Sequence, residues 1–284
     1  MERKWWTLIA VCVATFMLLL DIMIVNVALP SIQRDLGASL SSLQWVVDAY
    51  ALTLASFLLV FGSLGDRLGR RRIFSAGFAI FTVASLCCGL SNDPTVLNLF
   101  RALQGVGGAA MFATSLALIA QEFEGRERGQ AIGIWGATVG GAVAVAPLIG
   151  GALTDAFGWE WIFFVNVPIG VGAILLTETR VANVAASDPQ PLDWPGLITF
   201  SLALFGLIFG LIRGNPEGWS SAQIIGSLTA AAVLISAFVV IQLRRRNAML
   251  DTSLFRVPAF GGVAASAAAA IPAPSSLMTA RFIL

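Results

Sequence analysis

Asp21, Asp48 and Arg101 lie inside long apolar stretches, where an ionised group is costly unless it pairs or is wetted. Counting along each stretch puts all three roughly 5–10 Å below one face of a bilayer, at about 1.5 Å per helical residue. Two acids and one base at similar depth can pair with one another or line a wet cavity. An acid held between apolar helices binds its proton more tightly through desolvation and less tightly beside an arginine. That competition suits a proton carrier. The plainer alternative is a static ion pair that only fixes helix packing. Gln104, one turn beyond Arg101, shares its face and either hydrogen-bonds a substrate or supports the arginine.

A second group of residues occupies GSLGDRLGRRRIF (62–74), between two apolar stretches. Gly62, Gly65 and Gly69 allow a helix to end and the backbone to turn tightly. Asp66 and Arg67 then put opposite charges in the turn, and Arg70, Arg71 and Arg72 follow at the mouth of the next stretch. Four arginines in so short a loop mark it as cytoplasmic. A third pattern is the run of small residues in 129–153, including Gly140, Gly141, Gly150 and Gly151, where several residues four apart let two helix backbones approach closely. Pro147 removes a helical hydrogen bond and invites a bend. Glu122, Glu124, Arg126, Glu127 and Arg128 read as a solvated mixed-charge loop, and Arg244–Arg246 as an anchor for the eighth stretch.

Other chemistry is missing. The chain has no histidine, which argues against a metal site, and its three cysteines lie in apolar runs rather than in a disulfide framework. Lys4 is the only lysine, so the glycine-rich stretches have no Walker-type partner for ATP. No nucleophile–base arrangement and no nucleic-acid patch is visible. No cofactor is expected, and an enzyme is not.

The elements that must hold these groups are transmembrane helices. The chain is 57% hydrophobic and 12% charged, with a mean hydropathy of +0.85, outside the soluble globular range. Apolar stretches of spanning length fall near 6–28, 44–64, 73–91, 95–119, 129–153, 159–177, 194–212, 222–243 and 258–280, the last weakened by Pro272 and Pro274. Asp21 within the first stretch argues for a retained span over a cleaved signal peptide. With alternating loops, 13 of the 17 Lys and Arg residues fall on one side and three, including Arg213, on the other, leaving Arg101 inside a span. That asymmetry places the N-terminus in the cytoplasm. Trp5, Trp6, Trp45, Trp159, Trp161, Trp194 and Trp219 fall at span ends, where indole N–H groups reach headgroups. The expected order is a six-span bundle (1–178), a cytoplasmic linker (179–193), two extra spans (194–243), and a cytoplasmic loop with an incomplete further span (244–284).

Four segments resemble motifs of the major facilitator superfamily, in particular its fourteen-span multidrug:proton antiporters. LDIMIVNVALPSI (20–32) is similar to the first-span motif, with Asp21, Asn26 and Pro30 matching. GSLGDRLGRRR (62–72) resembles the loop motif through Gly62, Asp66, Arg67, Gly69 and Arg70. LFRALQGVGGA (99–109) resembles the fourth-span motif through Arg101, Gln104, Gly105 and Gly108. APLIGG (146–151) resembles the end of the fifth-span antiporter motif, with Ala146 where the family usually has glycine.

The resemblance implies an all-α membrane fold and alternating access, with proton flow down its gradient driving efflux of drugs or other small hydrophobic or cationic compounds. It implies that Asp66 and Arg67 gate the cytoplasmic side against a second bundle, and that Arg101 couples to Asp21; Asp48 joins the proton-coupling candidates by its place in a span alone. Asn26 and Gln104 would support the substrate cavity. Gly140, Gly141, Pro147, Gly150 and Gly151 would form the bending surface between halves. Small-molecule substrate, protons and the lipid bilayer are the expected partners, and the inner membrane is the expected location. Because the family has a second six-span block, the chain reads as a truncated product. The alternatives are export of an endogenous metabolite or self-made antibiotic, and a transport-incompetent fragment or membrane scaffold.

Overall fold

The computed structural model describes residues 2–182 and 193–244, and the described residues form an all-α bundle without strands. The helices are α1 (Arg3–Leu36), α2 (Leu40–Leu68), α3 (Arg70–Gly89), α4 (Pro94–Glu122), α5 (Gly125–Phe157), α6 (Trp161–Phe164), α7 (Asn166–Arg180), α8 (Trp194–Glu217) and α9 (Ala222–Arg244). With α6 and α7 taken as one, eight are long and apolar enough to cross a membrane. The ninth apolar stretch at 258–280, most of the expected linker, and Arg245 and Arg246 lie outside the described residues.

The helices start and stop where local chemistry says they should, but several run longer than the apolar stretches. Ser39 caps α2 through the amide of Ser42, and Asp93 caps α4 through the amides of Thr95 and Val96. Those Val96 and Thr95 N–H groups hold the exposed Asp93 carboxyl below its ordinary range. Asp193 caps α8 ahead of Pro195, as the Asp-Trp-Pro order leads one to expect. α1 runs unbroken through Pro30. Its 34 residues span about 50 Å, well beyond the roughly 30 Å hydrocarbon layer.

The turn after α2 is tighter than the sequence suggested. Gly62, Gly65, Asp66 and Arg67 belong to the last two turns of α2, and Gly69 alone makes the reversal at φ +101°. A side chain there would be strained, so one glycine suffices for a turn that three were expected to share. The mixed-charge segment after α4 is likewise mostly helix. Only Phe123 and Glu124 separate α4 from α5, so Arg126, Glu127 and Arg128 open α5. Arg128 donates to the Ala120 and Phe123 carbonyls at the end of α4, and Lys4 pairs with Glu127 at 2.9 Å.

α4 lies at the centre because its glycines admit three neighbours at once. A Cβ on Gly105 would collide with Thr53 and the Tyr50 carbonyl of α2. One on Gly107 would lie 2.6 Å from the Phe81 amide of α3, and one on Gly108 would lie 3.0 Å from Leu18 of α1. Backbone therefore packs on backbone or side chain on three sides of a single turn. The α8–α9 hairpin attaches outside this bundle, on α2, through Trp45 and Phe209 with ring centroids 6.0 Å apart.

α5 departs from the expected stripe of close contacts. Of its expected glycines, Gly150 alone is closely approached, by Ile24 of α1, whereas Gly140, Gly141 and Gly151 have nothing within 4 Å where a Cβ would stand. Pro147 sits inside a helix that continues to Phe157. Gly140, Gly141 and Gly151 therefore lie where the described chain leaves α5 uncovered, whereas Ala131, Ala142, Ala146 and Gly150 are buried. Trp159 stands at a span end as expected, but its indole is 1% exposed and packs edge-on against Phe163 rather than reaching outward.

Candidate functional site

Arg101 of α4 and Asp21 of α1 meet in the interior, Nη1 to Oδ2 at 2.5 Å, with side chains 1% and 0% exposed. Burying both charges costs several kcal/mol per ion unless the remaining donors and acceptors are satisfied. Here they are. Arg101 Nε donates to the Val46 carbonyl at 2.9 Å, and Nη1 also donates to Gln104 Oε1 at 2.7 Å. Gln104 Nε2 donates to Asp21 Oδ1 at 2.9 Å and to Ser85 Oγ at 2.7 Å. Asn166 Nδ2 donates to the same two acceptors at 3.3 and 3.0 Å. The guanidinium lies over Tyr50 at 4.4 Å from the ring centroid, a placement that attracts a cation to the ring face.

Four spans build this cluster besides α2. α1 brings Asp21, α4 brings Arg101 and Gln104 one turn apart, α3 brings Ser85 and α7 brings Asn166 at its first position. α2 contributes the Val46 carbonyl and the Tyr50 ring. Ser85 and Asn166 were absent from the sequence reading. The signal available was a polar residue within an apolar stretch, which is weak for serine but fair for asparagine: an amide stranded there needs a partner. The Asn166 carbonyl oxygen and the Tyr50 hydroxyl are buried without a protein partner, so the cluster keeps unused polar atoms beside the ion pair.

Two expected members stand elsewhere. Asp48 does not join the pair; it is half-buried on α2, one turn after Trp45, whose ring meets Phe209 of α8. Asn26 is exposed and donates to the Ile22 carbonyl of its own helix at 2.8 Å, away from Gln104. The two faces of α1 explain this, because residues five apart differ by more than a quarter turn.

At the opposite end of α2, Asp66 accepts from Arg70 Nη2 at 2.8 Å and from Nε at 3.0 Å. Arg70 Nη1 donates to the Ala117 carbonyl of α4 at 2.9 Å. Arg71 pairs with Glu178 of α7 at 2.8 Å. These contacts lock α2, α3, α4 and α7 together at one end. A groove of about 450 Å³ lies between α1 and α5, lined by Trp5, Leu8, Ile9, Cys12, Ile134 and Thr138.

Residues 11–283 match the Major Facilitator Superfamily. The chain belongs to that superfamily. It is a multi-pass membrane protein of a transporter family and not an enzyme. It is 40% identical over 266 residues to the tetracenomycin C resistance and export protein of Streptomyces glaucescens, covering 92% of this chain and 49% of that one. It is 41% identical over 251 residues to the multidrug resistance protein Stp of Mycobacterium tuberculosis, covering 88% and 47%. With the puromycin resistance protein pur8 of Streptomyces alboniger the identity is 37% over 261 residues, covering 92% and 52%. This superfamily chain thus spans about half the length of the curated relatives it matches. The crystal structure of the POT family transporter PepTSo shares its fold, with a TM-score of 0.60 at 16% identity, over 82% of this chain and 52% of that one.

Proposed function

We propose that this chain supplies the N-terminal part of a proton-coupled efflux antiporter for drugs or other small hydrophobic or cationic compounds. The parts would be the six-span bundle (1–178), the linker (179–193), two extra spans (194–243) and the beginning of a second bundle (244–284). The N-terminus would face the cytoplasm across the inner membrane. The observation that carries the reading is the buried Asp21–Arg101 pair, held by two amides. The resistance and export names of several relatives support efflux as its direction.

In this mechanism a proton reaching Asp21 removes the charge that Arg101 holds. Arg101 then keeps only the Val46 carbonyl and Gln104 as acceptors, and its guanidinium turns toward a new partner. Movement of one charge in a dry interior repacks the four helices whose side chains meet there, and that repacking switches the cavity between sides. The uncovered face of α5, with Gly140, Gly141 and Gly151, would be the surface on which a second bundle rocks, Gly150 holding α1. Asp66 and Arg67 would close its cytoplasmic end. Export of a self-made antibiotic is a second reading, favoured by the relative named for export of tetracenomycin C.

Expression of the full-length antiporter that contains this chain, in a drug-sensitive strain lacking its own pumps, tests the proposal. Lower accumulation of a cationic dye, reversed by an uncoupler, is the expected result. Accumulation unchanged by expression and by the uncoupler refutes it.

A further inference from the structure

Arg213 reads from the sequence as a residue of an outer loop, yet it lies inside α8, 7% exposed. Its guanidinium sits 5.2 Å from the centroid of the Trp45 ring on α2, and Phe209 of α8 meets the same ring. Nε and Nη2 donate to Glu217 Oε1, one turn on, at 2.9 and 2.7 Å. α8 is therefore fastened near the start of α2 through one aromatic ring that two of its side chains touch. α4 packs on α2 as well. Between α4 and α8 remains a cleft of about 420 Å³, with α2 as its floor, α4 as one wall and Phe205 of α8 as the other.

The sequence explains why no side chain of this chain fills the cleft. Ser42, Trp45, Ala49 and Leu52 on the floor fall three or four residues apart, as do Thr95, Asn98 and Ala102 on the wall, so each set makes a stripe along its helix. Toward the deep end the stripes carry Ala49 and Ala102, whose single methyl groups leave the space open. Asn98 Nδ2 donates to the Ser42 carbonyl at 3.2 Å, and Thr53 Oγ1 to the Ala102 carbonyl at 2.8 Å, which fixes the spacing of α2 and α4 at both ends. The polar side chains Ser42, Thr95 and Asn98 gather near the helix starts. Thr53 turns its hydroxyl to backbone carbonyls, so the deep end is apolar.

From Ser42 to Thr53 the rise along α2 is about 16 Å. Spread over that length, the volume gives a section of about 26 Å², the width of one extended hydrocarbon chain. The rims are Leu99, 67% exposed, and Phe205, 41% exposed, both within spanning helices. Apolar rims at that depth open sideways into hydrocarbon.

We propose that this cleft binds one acyl chain of a membrane phospholipid, its ester at the Ser42 and Thr95 hydroxyls and its hydrocarbon between Ala49, Ala102 and Phe205. The chain gains no hydrophobic free energy by leaving the bilayer. Dispersion contact on three sides holds it, together with the hydroxyls at the ester. It continues the interface that Trp45 and Phe209 begin, and so completes the contact between the α8–α9 hairpin and the bundle. In the orientation proposed above the lipid belongs to the outer leaflet. The binding itself depends neither on that orientation nor on proton coupling.

The full chain is reconstituted in phosphatidylethanolamine–phosphatidylglycerol vesicles doped with a phosphatidylcholine that carries a diazirine midway along one acyl chain. Irradiation expels nitrogen, the carbene inserts into a neighbouring bond, and mass spectrometry of the peptides locates it. Labelling of 42–53 and 95–102 should exceed severalfold that of the exposed Val83 and Leu86 on α3. Ala102→Leu fills the cleft and should lower its labelling to the α3 level while α3 is unchanged. Phe205→Ala removes one wall and should do the same. Equal labelling of cleft and α3 in the unaltered chain overturns the proposal, as does a cleft signal that Ala102→Leu leaves intact. If Ala102→Leu does not accumulate, Phe205→Ala decides. Loss of the cleft signal on adding ethidium would assign the cleft to a small cationic compound instead. Its loss at high protein-to-lipid ratio would assign it to a second copy of the chain, and either result also overturns the proposal.

Discussion

Arg101 and Asp21, 80 residues apart in sequence, are joined in a fully buried ion pair in which one guanidinium nitrogen also serves Gln104. Neither charge has another ionised partner among the described residues, so each depends on the other. The pair can therefore act as a switch: a single proton changes which contacts are satisfied.

Replacing Asp21 by Asn keeps its shape and removes its charge. Uncoupler-sensitive efflux should vanish while the protein still reaches the membrane. Asp21→Leu should in addition lower stability by about 3–5 kcal/mol, because Arg101 is then buried unpaired. Dye efflux and detergent melting curves read the two effects separately, and full efflux by Asp21→Asn would reduce the pair to a packing role.

Asn166→Ala and Ser85→Ala should each destabilise the bundle by about 1–3 kcal/mol, because the first removes a donor from the buried Asp21 carboxylate and the second leaves N–H groups of Gln104 and Asn166 without their acceptor. The double variant should cost less than the sum, since Asn166 donates to Ser85 and shares its loss. Denaturant titration in detergent measures the cycle. Additive losses would mean that the two residues stabilise the bundle independently.

Glycine substitutions should separate packing from motion. Gly107→Ala drives a methyl against the Phe81 backbone and should cost about 1–3 kcal/mol. Gly140→Ala meets nothing within 4 Å and should change stability by less than about 0.5 kcal/mol. If α5 forms a rocking surface, Gly140→Ala should nevertheless slow efflux severalfold. Wild-type efflux would leave that face without a role in transport.

Asp66→Asn removes an i,i+4 pair whose carboxylate is 62% exposed, which should cost no more than about 0.5 kcal/mol. A gate role predicts at least a tenfold loss of efflux from a protein of unaltered melting temperature. Loss of efflux in proportion to lost protein would make the pair structural only.

Much of this was legible residue by residue. Hydropathy located eight spans that the structure describes, and the spacing of Arg101 and Gln104 placed both on one face of α4. What sequence could not supply was rotation. Asp21 and Asp48 look alike in a hydropathy trace, yet one pairs with α4 and the other does not. The glycines of α4 and α5 look alike too. Those of α4 are pressed by three helices, and all but Gly150 of the expected α5 glycines face nothing in the described chain.

The sequence by itself determined class, span positions, charge asymmetry and the family motifs, because each depends on the transfer free energy or backbone freedom of residues taken locally. Tertiary structure alone decided which buried groups meet. It paired Asp21 with Arg101, recruited Ser85 and Asn166, moved Arg213 from an expected loop to the side of α2, and turned Asn26 away. The physical reason is that a helix's azimuth and depth are set by the shapes it packs against. Those shapes come from residues tens of positions away in the chain.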